Sequence, residues 1–361
     1  MASNSEKKNP FASIIAGLGL LVIGTIVLWL NEGEYVANTK AVKDVSEHVI
    51  EVSSEKSDSS NDGKLVCLNG DFIVIDEKVE DDELSIGTKT AKLSRVVEMY
   101  QWEEDEHTHK NNKTYSYEKK WSSELIISGG FHDSGYDNPT SKPIDNKDYC
   151  ASSVSVGAFN LSEKQIRSLE TNSKLTIDAS QELPDGYKIH DGYITNSENP
   201  ESPAVGDIRI YYEYNNYKEA TVLAVQQGNS FTDFNSENGK TINRVYEGKL
   251  NSEEVVKKMT DENNGLKWAL RLIGTICIIL GYVSLLSPIS KLASFVPILG
   301  GIVSSALAII AALVGLIHSL IVIAIAWLFY RPIMSIILIA IVVALVIVLK
   351  GFIKNKKEQT V

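Results

Sequence analysis

Charge almost disappears from one long stretch of this sequence. Between Trp268 and Lys350, about eighty residues, the only Asp, Glu, Lys, Arg or His side chains are Arg271, Lys291, His318, Arg331 and Lys350, and none is acidic. A tract that long without a carboxylate reads as membrane rather than as a soluble core. Cysteine is scarce too. Cys67, Cys150 and Cys277 are the only three, which excludes a disulfide scaffold and a zinc cluster. Two readings of Cys67 and Cys150 stay open, a single disulfide in an oxidising compartment or a pair of buried free thiols. Nucleophile elbows, phosphate loops, Cys-x-x-Cys pairs and dinucleotide fingerprints are also absent, so no catalytic residue and no cofactor site is predicted and an enzyme is disfavoured.

The charge that is present is segregated. Residues 31–265 hold 44 Asp and Glu against 25 Lys and Arg, while the remainder of the 361-residue chain holds two acidic against ten basic. An acidic polar region repels nucleic acid, so no nucleic-acid partner is predicted. The apolar residues form blocks. Residues 1–10 make a tail with Lys7 and Lys8, and residues 11–30 form a helix that, at 1.5 Å per residue, crosses a hydrocarbon core of about 30 Å. Its length and the lack of a small-residue cleavage site make it a retained signal anchor. Three further spans are predicted at 266–287, 301–326 and 333–350, separated by a loop at 288–300 and a tight outer turn at 327–332, with a basic tail at 351–361. Short basic flanks stay cytoplasmic, so Lys7, Lys8, Lys350, Lys354, Lys356 and Lys357 place both termini there and residues 31–265 across the membrane. Lys267 and Arg271 argue the other way. Trp29, Trp268, Trp327, Tyr330 and Arg331 lie at block ends, as expected of anchors in the headgroup layer.

Residues 31–265 read as α+β, mainly antiparallel strand. Leu65–Leu68 and Asp71–Ile75 flank Asn69-Gly70, a hairpin-turn dipeptide. Leu93–Glu103 places Val96, Tyr100 and Trp102 on one face by period two, and with Tyr115–Trp121 it predicts a long hairpin tipped by the polar stretch Glu103–Lys113. Ile208–Tyr214 and Ala220–Gln226 are predicted to pair through a linker at 215–219. Ser162 with Gln165 has the spacing of a capping box, and Ser252 is predicted to cap a short helix at Val255–Met259. The fold class is therefore a membrane protein with four transmembrane α-helices, one N-terminal and three C-terminal, plus a large extracytoplasmic or lumenal α+β domain.

Several landmarks follow one another in a fixed order. Asn31-Glu32-Gly33, then Glu98-Met99-Tyr100-Gln101-Trp102, Tyr115 and Tyr117 before Trp121, and Asn138-Pro139 come first. Asn199-Pro200, Gly206-Asp207 with Arg209, and Trp327-Leu328-Phe329-Tyr330-Arg331-Pro332 complete the series. Together they resemble the transmembrane protein 43 family, also called LUMA. The resemblance implies four spans and a large domain in the lumen or its bacterial equivalent. For animal members it implies residence in the endoplasmic reticulum and inner nuclear membrane, self-association, and organisation of lamins and emerin. For a bacterial chain the corresponding location is the inner (cytoplasmic) membrane. The resemblance supplies no catalytic residues.

Residues Glu103 to His109 offer carboxylate and imidazole ligands, but the spacing is neither that of an EF-hand nor that of a His-Glu-x-x-His helix. The expected role is a solvated hairpin tip, and no metal site is predicted. His318 is the one ionisable group deep in a span. With no Asp or Glu in any span to relay protons, its predicted use is a hydrogen bond to a neighbouring helix. Gly17, Gly19, Gly24, Gly274 and Gly281 are candidates for close helix contact, although no Gly-x-x-x-Gly occurs in those spans. Asn112-Lys113-Thr114 and Asn160-Leu161-Ser162 are glycosylation sequons, meaningful only on a lumenal face. The expected function is an integral membrane scaffold embedded in the bilayer that binds protein partners or further copies of itself. The alternatives are an oligomeric channel or transporter, motivated by His318, and a membrane-tethered hydrolase, motivated by the acidic domain.

Overall fold

A computed structural model describes residues 10–109, 112–293, 300–333 and 336. The chain divides into two compact units, Asp44–Val256 and the helical segments that precede and follow it in sequence. The described helices are α1 (Pro10–His48), α2 (Glu163–Arg167), α3 (Ser252–Ala293) and α4 (Gly300–Tyr330). Three of them, α1, α3 and α4, are long and apolar enough to cross a membrane, and they contain the first three predicted spans. The predicted fourth span at 333–350 lies outside the described residues, apart from Ile333 and Ile336. So do residues 1–9, 294–299 and 351–361 of the predicted tails and loop.

The regular structure of the unit Asp44–Val256 is mostly antiparallel β, as the sequence reading requires. Alternation decides which residues it buries: in Ile208–Tyr214, Ile208, Ile210 and Tyr212 face inward while Arg209 and Tyr211 face out. Two seven-stranded sheets result. In one, Leu65–Val74 pairs antiparallel with Glu219–Gln227 and, further along, with Val154–Val156. In the other, the 18-residue strand Lys92–His109 pairs through Leu93–Met99 with Ile208–Tyr214 and through Met99–His109 with Asn112–Ser122. The long hairpin is therefore present. A single core draws Leu68, Phe72 and Val222 from the first sheet and Leu93, Val97, Met99 and Tyr212 from the second. Cys67 is buried and Cys150 half-buried, and both are free thiols.

Five local expectations are corrected. Asn69-Gly70 makes no turn: Leu65–Val74 runs straight through it, with Gly70 opposite Ala220. Glycine serves close packing there, because a Cβ at Gly70 would lie 2.6 Å from Ser54 Oγ. Ile208–Tyr214 and Glu219–Gln227 do not pair with each other. The short connection between them carries the chain from one sheet to the other, held where Asn215 N–H donates to Lys92 O (2.9 Å) and Thr90 Oγ1 to Asn215 O (2.8 Å). The capping box at Ser162 and Gln165 forms as expected, but Ser252 is not the cap of the later helix. Asn251 is, with its side chain accepting from Glu254 N–H and Glu254 accepting from Asn251 N–H, both at 2.9 Å. Nor does that helix end at Met259 or at the predicted loop, since α3 continues through Pro288 to Ala293. In hydrocarbon a helix is the one backbone state that satisfies its own polar groups, which outweighs the hydrogen bond Pro288 removes. Likewise α4 remains helical to Tyr330. The predicted outer turn contracts to Arg331, after which Pro332 and Ile333 are helical again.

Sequence patterning gave no hint of the ion pair inside the β core. Asp81 is wholly buried and Arg95 nearly so. Asp81 Oδ2 accepts from Arg95 Nη1 (2.7 Å) and from the Tyr212 hydroxyl (2.6 Å), and Oδ1 accepts from the Tyr149 hydroxyl (2.6 Å) and Glu83 N–H (3.0 Å). Burial opposes ionisation of Asp81, but the two tyrosine hydroxyls and the Arg95 guanidinium outweigh it and hold the carboxyl below its usual range. A depressed pKa means stability that is complete above the unfolded value near 4 and is lost as pH falls through the folded one. In detergent melts of the full chain, Asp81→Ala should cost about 3–5 kcal/mol by stranding Arg95. Asp81→Asn should flatten the part of the melting-temperature decline below about pH 4 that this carboxyl contributes. An unchanged acid slope in Asp81→Asn would show that Asp81 is not the titrating group.

Candidate functional site

The helical unit is organised by a seven-residue spacing that a search for Gly-x-x-x-Gly overlooks. On α1 the series is Gly17, Gly24, Asn31; on α3, running the opposite way, it is Gly281, Gly274, Lys267. A Cβ on Gly17 would lie 2.8 Å from Gly281 O, and one on Gly24 would lie 2.8 Å from Gly274 O. In the same register Asn31 Nδ2 donates to Lys267 O at 3.1 Å, and Tyr35 donates to Asn264 Oδ1 at 3.1 Å. Leu21 and Leu28 fill the steps between, against Gly281 and Gly274. Seven residues is two turns at 3.5 per turn, the period that keeps one seam facing its partner along the whole contact. Gly19, off the seam, has open space beside it.

The α4 helix joins this pair through a further notch, where a Cβ on Gly315 would meet Ile279 at 2.7 Å. His318 sits one turn on, between the other two helices. Its Nε2 is 3.3 Å from Thr25 Oγ1 and its Nδ1 is 3.2 Å from the Tyr282 hydroxyl. Because Thr25 donates its own proton to Leu21 O (2.7 Å), the arrangement is satisfied by a neutral ring that donates from Nε2 and accepts at Nδ1. The geometry is that of a cross-helix hydrogen bond, made to two helices at once.

Where the apolar runs end, the site becomes ionic. Glu32, the residue after Asn31, is 1 % exposed. Arg271 of α3 grips it with both prongs, Nε to Oε1 at 2.6 Å and Nη2 to Oε2 at 2.9 Å, and Trp327 Nε1 of α4 donates to Oε2 at 2.9 Å. Gly33 lies against the Tyr330 ring, 2.7 Å from where its Cβ would be, so a larger residue would push α4 away. Trp29 packs on Phe329 (5.2 Å) and Tyr330 (5.8 Å), while Arg271 lies over Trp268 at 4.9 Å. Three of the predicted anchors, Trp29, Trp327 and Tyr330, thus close round the Asn31-Glu32-Gly33 landmark. Trp268 stays largely exposed, and Arg331 lies over the Tyr35 ring at 4.7 Å. Arg271, which with Lys267 argued from sequence against the expected orientation, has its counter-ion on α1.

The landmarks of the β unit also converge, around Tyr100. Met99 and Gln101 point inward. Gln101 holds the following loop by donating to Glu124 O and accepting from Ile126 N–H, both at 2.9 Å. Asn138 acts as a substitute strand neighbour, accepting from Trp102 N–H (2.7 Å) and donating to Trp102 O (2.8 Å). The loop that begins at Asn199-Pro200 returns through Gly206, whose φ of +100° suits glycine. Gly206 N–H donates to Tyr100 O (2.9 Å) and Tyr100 N–H to Asp207 O (2.8 Å). Outward from the sheet, Glu98 binds Arg209 Nε at 2.6 Å, and the guanidinium lies 4.7 Å from the Trp121 ring and 4.8 Å from Tyr193. Glu103 to His109, expected as a solvated hairpin tip, is instead paired strand as far as His109; on its outer face Glu103, Asp105 and Glu118 gather, and Glu103 is ion-paired with Lys120.

Packed apolar helices with an internal ion pair, in a chain that also folds a separate β-rich unit, define an integral membrane protein. The family described as Transmembrane protein 43 matches residues 99–332, and the chain belongs to it. It is 26% identical to transmembrane protein 43 of Rattus norvegicus, over 96% of this chain and 91% of that protein. It is 25% identical to the Homo sapiens protein over the same shares, and 26% identical to the Transmembrane protein 43 homolog of Drosophila melanogaster over 93% of each chain. No solved structure matches it.

Removing one partner of a buried ion pair costs more than removing both. Glu32→Met and Arg271→Met should each lower stability by about 3–5 kcal/mol, and the double variant should recover most of that loss, read as melting of the full chain in detergent. Additive losses would mean the two charges do not depend on each other.

Proposed function

We propose that this protein is a non-catalytic membrane scaffold that binds protein partners, or further copies of itself, through the outer sheet face around Arg209. The observation that carries the reading is the fixed guanidinium between Trp121 and Tyr193, held by Glu98. Tyr211, with Lys174 over its ring at 4.5 Å, and Trp102, with Lys119 at 4.8 Å, extend the same face. Tryptophan, tyrosine and arginine are the side chains most often found where binding energy concentrates, and rings already ordered lose little entropy on docking. The non-catalytic part of the proposal is supported by Asp81, the most buried carboxylate of the β unit, whose Oδ2 is taken up by Arg95 and Tyr212 and whose Oδ1 by Tyr149 and the Glu83 amide. In this reading the β-rich unit is extracytoplasmic or lumenal, both termini are cytoplasmic, and α1 serves as a signal anchor. The membrane is the cytoplasmic membrane in a bacterium and the endoplasmic reticulum or inner nuclear membrane in a eukaryote.

Cross-linking the full-length protein in native membranes should capture a partner or a second copy. Arg209→Ala should reduce that capture at least tenfold, roughly the weight of one hot spot, while shifting stability by no more than about 1 kcal/mol, as expected of a partly exposed ion pair. A wild-type protein that stays monomeric and captures nothing would overturn the scaffold reading. In sealed vesicles, protease on the cytoplasmic face should spare the Tyr100–Tyr214 region, and its digestion would reverse the proposed orientation.

A further inference from the structure

At the ends of the apolar helices two cations, Lys267 and Arg331, meet no carboxylate among the described residues. Lys267 Nζ lies 4.0 Å from the centre of the Tyr35 ring, and the Arg331 guanidinium carbon lies 4.7 Å from the same centre. Sharing one ring keeps these two cations within about 9 Å of each other, where like charges repel unless an anion joins them. The buried carboxylate at this level, Glu32, is already taken by Arg271 and Trp327. Lys267 donates to the neutral Asn264 Oδ1 at 3.0 Å. Arg331 lies over Tyr35 and Trp327 and meets no carboxylate among the described residues.

Depth identifies what such a cation pair would meet. Lys267 immediately precedes Trp268 at one end of an apolar run, and Arg331 immediately follows Tyr330 at the end of another. Tyr35 is five residues beyond Leu30, a rise of about 7.5 Å, which is close to the thickness of one headgroup layer. The anions present at that depth in a bilayer are lipid phosphates. We propose that Tyr35, Lys267 and Arg331 bind the phosphate of an anionic phospholipid. Lys267 supplies a compact point charge, Arg331 supplies paired N–H donors, and the Tyr35 ring, fixed by its hydroxyl bond to Asn264, holds the two apart. Two cations with no carboxylate of their own favour a headgroup of net negative charge over a zwitterionic one, whose choline they would repel.

The test uses the full-length protein, delipidated in detergent and then titrated separately with phosphatidylglycerol, phosphatidylcholine and inorganic phosphate. Bound lipid is counted by native mass spectrometry and thermal stability is followed in parallel. Wild type should hold phosphatidylglycerol at least about tenfold more tightly than phosphatidylcholine, the weight of one charge-assisted contact, and inorganic phosphate should produce no stabilisation. Lys267→Gln with Arg331→Gln should bring phosphatidylglycerol down to the phosphatidylcholine level while melting like wild type in phosphatidylcholine alone. Arg331→Lys should keep a preference of intermediate size. Equal binding of the two lipids by wild type, or undiminished phosphatidylglycerol binding by the double variant, would overturn the proposal. Stabilisation by inorganic phosphate equal to that by phosphatidylglycerol would assign the site to a soluble anion and overturn the lipid.

Discussion

An ionised carboxylate withdrawn from water at the end of an apolar helix sets the terms for the helical unit. Glu32 is almost completely buried, and stripping an ion of its hydration costs several kcal/mol even after the surroundings relax. Only donors on both other helices, at one height, make the arrangement tolerable. Arg271 supplies two from α3 and Trp327 one from α4. A pair of this kind contributes little net stability compared with a well-packed apolar replacement. What it does contribute is level: α1, α3 and α4 have to emerge from their apolar stretches together, and Gly33 allows the Tyr330 ring to close against α1 at that point.

The β unit solves the same problem deeper in its own core. Asp81 and Arg95 are neutralised by each other and by two tyrosine hydroxyls drawn from separate strands, Lys147–Cys150 and Ile208–Tyr214. The inward side of Lys92–His109 is therefore not purely apolar, and Arg95 interrupts the row formed by Leu93, Val97 and Met99. Aromatic residues of the strand, Tyr100 and Trp102, lie on the opposite face with Arg209 and Trp121. Core and candidate binding surface are thus the two faces of one strand, separated by a single pleat.

Periodicity in the sequence exposed elements and faces, because those depend on neighbours two to four residues away. It located the three long apolar helices, the hairpin at Tyr115–Trp121, the capping box at Ser162 and Gln165, and the strand Ile208–Tyr214 to the residue. Partnership between strands is set by loop paths and core shape, so adjacency in the chain misled for Ile208–Tyr214 and Glu219–Gln227, which lie in different sheets. Asn69-Gly70 misled for a related reason, since glycine answered a tertiary demand from Ser54 rather than a turn. At the candidate site, His318 was legible because a lone imidazole among apolar residues needs a partner. Glu32 was visible only as a landmark. Its counter-ion stands 239 positions away, and no local pattern links two such residues. The helix glycines were noticed, but the seven-residue interval emerges only when both helices are seen side by side.

That interval also governs how the helix pair meets membranes of different thickness. With backbone against backbone at Gly17–Gly281 and Gly24–Gly274, a piston stroke of one turn would drive Leu21 or Leu28 into the neighbouring main chain. The next seated position lies two turns away, about 10.5 Å. Small mismatches with the bilayer are therefore absorbed by leaning the two helices over as a single rod, with no sliding of one along the other.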